Sequence, residues 1–559
     1  MFKILKKSLA PNLEITKLTD NGAVKNVAIS QDGSYAAYAV YVGEKQALRL
    51  RQVATHSDVE ILPPDAGNFV GLTFSPDGNY IYFVRSDRND LAFRYLYVMP
   101  SLGGTPHRLI TDVDSGVTFS PDGRRIAYEH CVRNDTELKI ANADGTDQHL
   151  VRVIHNANFL SPGEPGPTWS PDARTLALSV LLVGKQRRWV LYAVSVADGR
   201  TRELYSGDAA IGRPVWLPAG TILLLPQYER SSHRTQLWTV SFPEGTAHRF
   251  THDISDYSMD IDLTKDGGTL VTATSSAQSQ VWVFSSPQPY VKGRQIASGE
   301  PPMFNVKENA DGELLSSGGD GRLWIVGKDG RERSIFGNVR DVSWFAPCGT
   351  YVVFTAHESS AGRGHTGDAV LGRMDGDGNH AIKLANGNLW SPSCSQDGKS
   401  VYYVNTEQPE KIWRMPIDGG APVEIGQILG DSIMGNIAIS PDGKFISYPY
   451  SAYTGTSPRR HLAVIPAAGG SPVKLFDMPG NTWNVGSYWT LDSKALQYLQ
   501  LCGGVSNIWE QSLAGGNPRQ LTRFTSGQIF DFTWSADHTR LFLTRGSVSS
   551  DVVLLKGFH

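Results

Sequence analysis

The chain predicts an all-β fold assembled from β-propeller blades, and three observations carry that reading. A turn-and-strand phrase returns twelve times at intervals of about 45 residues, the period of a four-stranded propeller blade. Short β-branched and aromatic runs fill the intervals, and helical periodicity is nearly absent. Glycine is high at 57 residues of 559, with 13 tryptophans and 21 tyrosines, which suits many short strands joined by tight turns.

The clearest copies of the phrase are Phe74-Ser75-Pro76-Asp77-Gly78, Phe119-Ser120-Pro121-Asp122-Gly123, Trp169-Ser170-Pro171-Asp172 and Ile439-Ser440-Pro441-Asp442-Gly443. Worn copies lie at Ser30-Gln31-Asp32-Gly33, Ser395-Gln396-Asp397-Gly398, Lys265-Asp266-Gly267 and Ser535-Ala536-Asp537. Four more are recognised by position alone, at Leu217-Pro218-Ala219-Gly220, Ala310-Asp311-Gly312, Ala346-Pro347-Cys348-Gly349 and Thr490-Leu491-Asp492.

Residues 71–110 serve as the type unit. Leu72-Thr73-Phe74 is a short first strand, and Ser75-Pro76-Asp77-Gly78 reverses it. Proline presets φ, the aspartate bonds nearby backbone, and glycine accepts positive φ. Tyr80-Ile81-Tyr82-Phe83-Val84 is an uninterrupted apolar run, as expected of a strand covered on both faces by neighbouring blades. Tyr95-Leu96-Tyr97-Val98-Met99 makes a third strand, Gly103-Gly104 a turn, and His107-Arg108-Leu109-Ile110 an outer fourth strand. The third-strand pattern recurs at Trp238, Trp324, Trp413 and Trp509, whose fixed place in the repeat points to packing between blades.

Closure sets the domain count. The chain opens on an orphan that reads as a fourth strand, Leu13 to Leu18, and ends on a third strand, Asp551 to Leu555. At the midpoint the third strand Val281-Trp282-Val283-Phe284 precedes a Ser-Pro-rich break and another fourth-strand look-alike, Arg294 to Ala297. Twelve units therefore divide into two tandem six-bladed propellers, with seven plus five as the alternative. The limits are a tail at 1–12, a first propeller at 13–285, a linker at 286–293 and a second propeller at 294–559. Each half is expected to begin with the outer strand that completes its own last blade, leaving no open sheet edge.

A net charge of −3 without a basic block makes nucleic acid an unsuited partner. No stretch reaches about 18 uninterrupted apolar residues, so no membrane span is expected. The basic N-terminus lacks the apolar core of a secretory signal. Cys131, Cys348, Cys394 and Cys502 fall in different repeats without metal-type spacing and read as buried free thiols.

Several fragments look like chemistry and fail on spacing. Gly362-Arg363-Gly364-His365-Thr366-Gly367 matches a glycine-rich loop, Lys383 follows, and Asp531-Phe532-Thr533 resembles a kinase metal triplet. The His-Arg-Asp catalytic loop is missing, and the repeat register assigns Lys383 to a fourth strand and Phe532-Thr533-Trp534 to a first strand. His357-Glu358 lacks the second histidine of a zinc helix, since position 361 is alanine. Asp375 to Asn379 lacks the glycine and glutamate of a calcium loop, and no G-x-S-x-G elbow exists. No catalytic residue, metal or cofactor is expected.

Recognition would use the face that carries the loops from second to third strand and from fourth strand to the next first strand. Candidate ligand-binding residues there are His155, Asn156, Asn158, Asp256, Tyr257, His357, Arg363, His365, Tyr453, Arg459, Trp483 and Asn484. They mix aromatics, amides and charges, which suits a protein, peptide or glycan ligand.

The Ser-Pro-Asp-Gly phrase before an apolar strand resembles the TolB-like, or WD-like, propeller repeat of bacteria. The opening Ile15-Thr16-Lys17-Leu18-Thr19, the run Leu48 to Thr55, Gly71-Leu72-Thr73-Phe74 and the ending Ser549 to Val553 resemble propellers C-terminal to bacterial serine/threonine kinases and winged-helix regulators. The likeness spans essentially the whole chain, without the kinase or DNA-binding neighbour, and implies a sensor or scaffold that binds. It allows an extracytoplasmic location, while the residues themselves leave the compartment open. The leading expectation is a non-catalytic recognition module. The alternatives are a lyase or hydrolase with its site at a channel mouth, and a structural partner in an envelope complex.

Overall fold

The computed structural model describes residues 13–557 apart from 44, 88–89, 133–134, 159–165, 183–187, 208, 230–231, 286–292, 336–341, 358–368, 408, 431, 455–456, 480–481 and 483–485. Those residues form strands and turns with no α-helix, and every ladder between strands is antiparallel. The type unit forms as expected: strands Phe69–Phe74, Tyr80–Asp87, Asp90–Pro100 and His107–Thr111 pair in that order. The turn explains why the phrase repeats. Ser75 Oγ donates to Asp77 Oδ1 at 2.5 Å and accepts from Tyr80 N at 2.9 Å, while Asp77 Oδ1 accepts from Asn79 N at 3.1 Å. Gly78 sits at φ 73°. The same Ser–Asp lock recurs at Ser30–Asp32, Ser120–Asp122, Ser170–Asp172, Ser395–Asp397, Ser440–Asp442 and Ser535–Asp537.

Successive sheets are β-propeller blades. Inner strands follow one another: Val24–Ile29 touches Phe69–Phe74, Thr168–Trp169 touches Val215–Trp216, and Asp256–Leu263 returns to Val24–Ile29. The second half repeats the circuit, from Met303–Glu308 through Val342–Cys348 and Leu389–Cys394 until Gln528–Trp534 meets Met303–Glu308 again. The core lies between blades rather than within them. One cluster joins Leu48 and Leu50 to Phe69, Phe83 and Met99 of the next sheet. Trp238, Trp324 and Trp413 pack half-buried against such clusters.

Closure differs from the expected pairing. Two strands of 17 residues, Thr269–Ser285 and Arg540–Lys556, pair along their full length without a register shift, from Thr269 with Lys556 to Ser285 with Arg540. The opening strand Glu14–Lys17 pairs with the end of the second of these, not with Val281 to Phe284. Arg294–Gln295 pairs with Trp282 and Val283. Each long strand thus serves as second strand in one ring and third strand in the other. Elsewhere the second and third strands of a unit are separate and pair with each other, as Tyr35–Val42 does with Lys45–Gln52. These two strands run straight on and exchange partners.

The exchange brings the faces carrying the second-to-third hairpins toward each other. A β-carbon on Gly503 would lie 3.6 Å from Cα of Gly43, and one on Gly321 would lie 2.2 Å from His233 Nε2. The third strands Asp90–Pro100 and Ser457–Pro466 also touch.

The cysteine expectation is corrected in part. Cys348 and Cys394, 46 residues apart, end the inner strands of adjacent blades and form a disulfide with Cα atoms 5.3 Å apart. A separation of one repeat is what sets equivalent inner-strand positions side by side. Cys131 is half-buried and Cys502 exposed, and neither takes part in that bond.

Candidate functional site

Polar groups gather at one position of the repeat, four residues ahead of the turn. In the first half this position holds Asn26, Gly71, Gly116, Gly166, Arg213 and Asp260; in the second, Asn305, Trp344, Ser391, Asn436, Gly486 and Asp531. Neighbours at this position touch around the channel. A β-carbon on Gly71 would meet Gly116 Cα at 2.4 Å, and Asn26 Nδ2 donates to Val70 O at 3.0 Å. Arg213 Nη1 lies 3.6 Å from Asp260 Oδ1, with both side chains buried. Burial pushes Asp260 up to about 6 although Arg213 opposes the shift, and it raises Asp262 as well. Among the described residues, the buried atoms Asn26 Oδ1, Arg213 Nε and Asp260 Oδ2 have no hydrogen-bond partner.

On the inner strands of the second half, Lys307, Tyr488 and Asp531 form a compact triad. Lys307 Nζ donates to Asp531 Oδ2 at 2.8 Å and to Tyr488 Oη at 3.2 Å, and the Tyr488 hydroxyl donates to Asp531 Oδ1. Val306 N also donates to Asp531 at 2.9 Å. Burial and the Asp531 charge hold the Tyr488 phenol well above its ordinary range. The kinase-like fragment at Asp531 is therefore an inner-strand residue, in the Gln528–Trp534 strand the repeat register assigns it to.

A third cluster lies on the loop side of the third blade. His130 Nε2 is 3.0 Å from Asp112 Oδ2, its Nδ1 is 3.0 Å from Glu137 Oε2, and Lys139 Nζ is 2.9 Å from the same glutamate oxygen. Asp114 accepts from Cys131 N at 2.7 Å. Burial raises the Asp114 and Glu129 carboxyls and the Cys131 thiol, Glu129 being fully enclosed. Asp112, Asp114 and His130 offer ligand atoms within 4.8 Å of one another. Both His130 nitrogens already face carboxylates, so the arrangement is that of an ion-pair network.

The sequence candidates are dispersed. His155 Nδ1 and Asn156 N both turn to Asp135, at 2.9 and 3.0 Å. Asp256 accepts from Thr235 N at 2.8 Å and is raised by burial; Tyr257 is buried and donates to Asp253 at 2.6 Å. Arg459 is exposed. Asn158, His357 and Tyr453 are placed by backbone only, opposite Leu181, Ala369 and Pro458. Arg363, His365, Trp483 and Asn484 lie outside the described residues. Asp375 to Asn379 forms a turn before a fourth strand, with Asn379 N on Asp377 at 2.9 Å. Sequence reasoning missed Arg213, Lys307 and Tyr488. An aspartate at the same place in the sixth and twelfth repeats, Asp260 and Asp531, was the available signal for the channel groups.

No protein-family model matches the chain, and no curated protein matches it. Among solved structures, it is similar to a TolB from Agrobacterium tumefaciens at 18% identity and a TM-score of 0.39, over 48% of this chain and 99% of that one. It is similar to the tricorn protease at 16% identity and a TM-score of 0.33, over 88% of this chain and 49% of that one. A chain of the nidogen/laminin complex matches at 14% identity and a TM-score of 0.33, over 41% of this chain and 81% of that one.

Proposed function

We propose that the chain is a non-catalytic recognition module, a sensor or scaffold, that binds a protein, peptide or glycan between the loop faces of two six-bladed rings. The first ring takes 13–279 and the final strand from about 547 onward, and the second takes 280–546, divided at the crossing of the exchanged strands. The observation that carries the reading is the apposition of the hairpins at Gly43 and Gly503 and at His233 and Gly321. Two faces held opposite one another by a shared sheet form a domain junction, the kind of place where ligands commonly bind. The mixed aromatic, amide and charged loops supply its chemistry. The Cys348–Cys394 bond supports an oxidising compartment.

The experiment is to screen the full chain on peptide and glycan arrays and map each ligand by hydrogen exchange. Protection at the hairpins around Gly43, His233, Gly321 and Gly503 is expected. Protection confined to the outer strands, or turnover of an array compound, would overturn the reading.

A further inference from the structure

A strained serine and the disulfide of the second ring share one inner strand. Leu389–Cys394 carries Ser391 at φ 54°, the single non-glycine residue with positive φ among the described residues of the inner strands. At the equivalent place two blades on, the chain has Gly486 at φ 99°, where no side chain opposes that conformation. Ser391 also precedes Pro392, and a proline ring pushes the residue before it toward extended backbone at negative φ. A left-handed serine ahead of a proline persists only while its surroundings hold it there.

Those surroundings can be named. Ser391 is 1% exposed, and its Oγ accepts from Ile437 N of the tenth blade at 2.7 Å. Before it in the strand, Trp390 lies against Trp344 of the eighth blade, with ring centroids 5.6 Å apart. After it, the ladder slips and resumes with Ser393 opposite Tyr402 and Cys394 opposite Val401. Cys394 is bonded to Cys348 of the eighth blade, three residues from Ser391. The disulfide is thus the covalent part of a clamp completed by one ring contact and one buried hydrogen bond. Its two ends differ in reach. Cys348 is almost wholly enclosed whereas Cys394 is half-buried, so an incoming thiolate meets Cys394 first.

We infer that the Cys348–Cys394 bond is a redox latch: its reduction lets Ser391 leave the left-handed region and release Ile437 N, loosening the seam between the ninth and tenth blades. The reductant is a dithiol. One of its thiolates attacks Cys394 Sγ, the S–S bond breaks, and Cys348 departs as a thiolate that takes up a proton. The second thiol of the reductant then displaces Cys394 from the mixed disulfide, leaving two cysteine thiols and the reductant's own disulfide. Two electrons pass to the chain, and no other reactant is consumed. The latch goes beyond the recognition reading and stands whether or not a ligand is found.

The test treats the full chain with dithiothreitol and follows amide exchange residue by residue by mass spectrometry. Exchange at Ile437 is expected to rise at least about tenfold on reduction, while Val271 to Ala273 in the first ring and Leu541 to Leu543 in the second keep their protection. Reoxidation should restore the slow rate. Cys394→Ser should resemble the reduced parent. Pro392→Ala lifts the restriction on Ser391 and keeps its hydroxyl, so reduction of that chain should leave Ile437 nearly as protected as before. An Ile437 amide that stays protected in the reduced parent or in Cys394→Ser overturns the latch. A rise of equal size throughout the second ring also overturns it, since the bond would then be a structural staple only. So does a Pro392→Ala chain that responds to dithiothreitol as strongly as the parent.

Discussion

Replacing Gly546 by alanine should loosen both rings at once. Gly546 stands opposite Ser279 in the ladder of the two exchanged strands. A β-carbon there would lie 1.7 Å from Gln278 O, 2.6 Å from Gln278 C and 2.7 Å from Ser279 Cα. All three obstacles are main chain, so the partner strand itself must retreat by more than about 1 Å to reach ordinary contact. Overpacking of a filled interior costs about 1–3 kcal/mol, and each ladder bond sacrificed adds about 1 kcal/mol. A total near 3 kcal/mol follows. With a slope of about 3 kcal/mol/M, the urea midpoint falls by about 1 M. Hydrogen exchange read at Val271 to Ala273 and at Leu541 to Leu543 distinguishes the rings, and protection should fall in both together. Gly426→Ala is the control, since nothing lies within 4 Å of its added carbon. A Gly546→Ala chain as stable as the parent, or one in which a single ring weakens, would refute the shared-sheet reasoning.

Three further outcomes follow from the repeat. Ala173 occupies the turn position where most copies have glycine and is held at φ 59°, so Ala173→Gly should stabilise by about 0.5–1 kcal/mol in urea titrations. Asp260→Ala strands the buried Arg213 and should cost about 3–5 kcal/mol, with Asp260→Asn less damaging. Titration runs in two directions. Asp260, raised to about 6, withdraws stability as pH climbs from about 4 toward 6, while the turn aspartates, lowered by their serine and backbone donors and at Asp537 to about 2, withdraw it as pH falls below about 4. Thermal melts across pH 2–7 should show both limbs, and Asp260→Asn should make only the upper one shallower, since Asp114, Glu129, Asp256 and Asp262 are raised by burial too.

The repeat was legible because its turn is chemically self-contained. Ser75, Asp77, Gly78 and Tyr80 bond one another, so the residues announce the turn wherever they recur. The partners of the closing strands were not legible in the same way. Val281 to Phe284 and Asp551 to Leu555 carry the same third-strand pattern, and either could accept either outer strand. A hint existed in the run Thr269 to Ser285, which has no glycine, proline, asparagine or aspartate to turn a hairpin. The Cys348–Cys394 bond needed ring packing to bring its ends together.

The exchanged strands also order the events of synthesis on the ribosome. The stretch 280–546 is contiguous, so the second wheel has every one of its strands in hand when residue 546 emerges. The first wheel, although made earlier, waits with the edge of its second strand, from Thr269 to Gln278, unpaired until residues 547–556 arrive to fill it. The N-terminal half is therefore the later one to lock, and it is the half for which a chaperone or a truncated message would matter most.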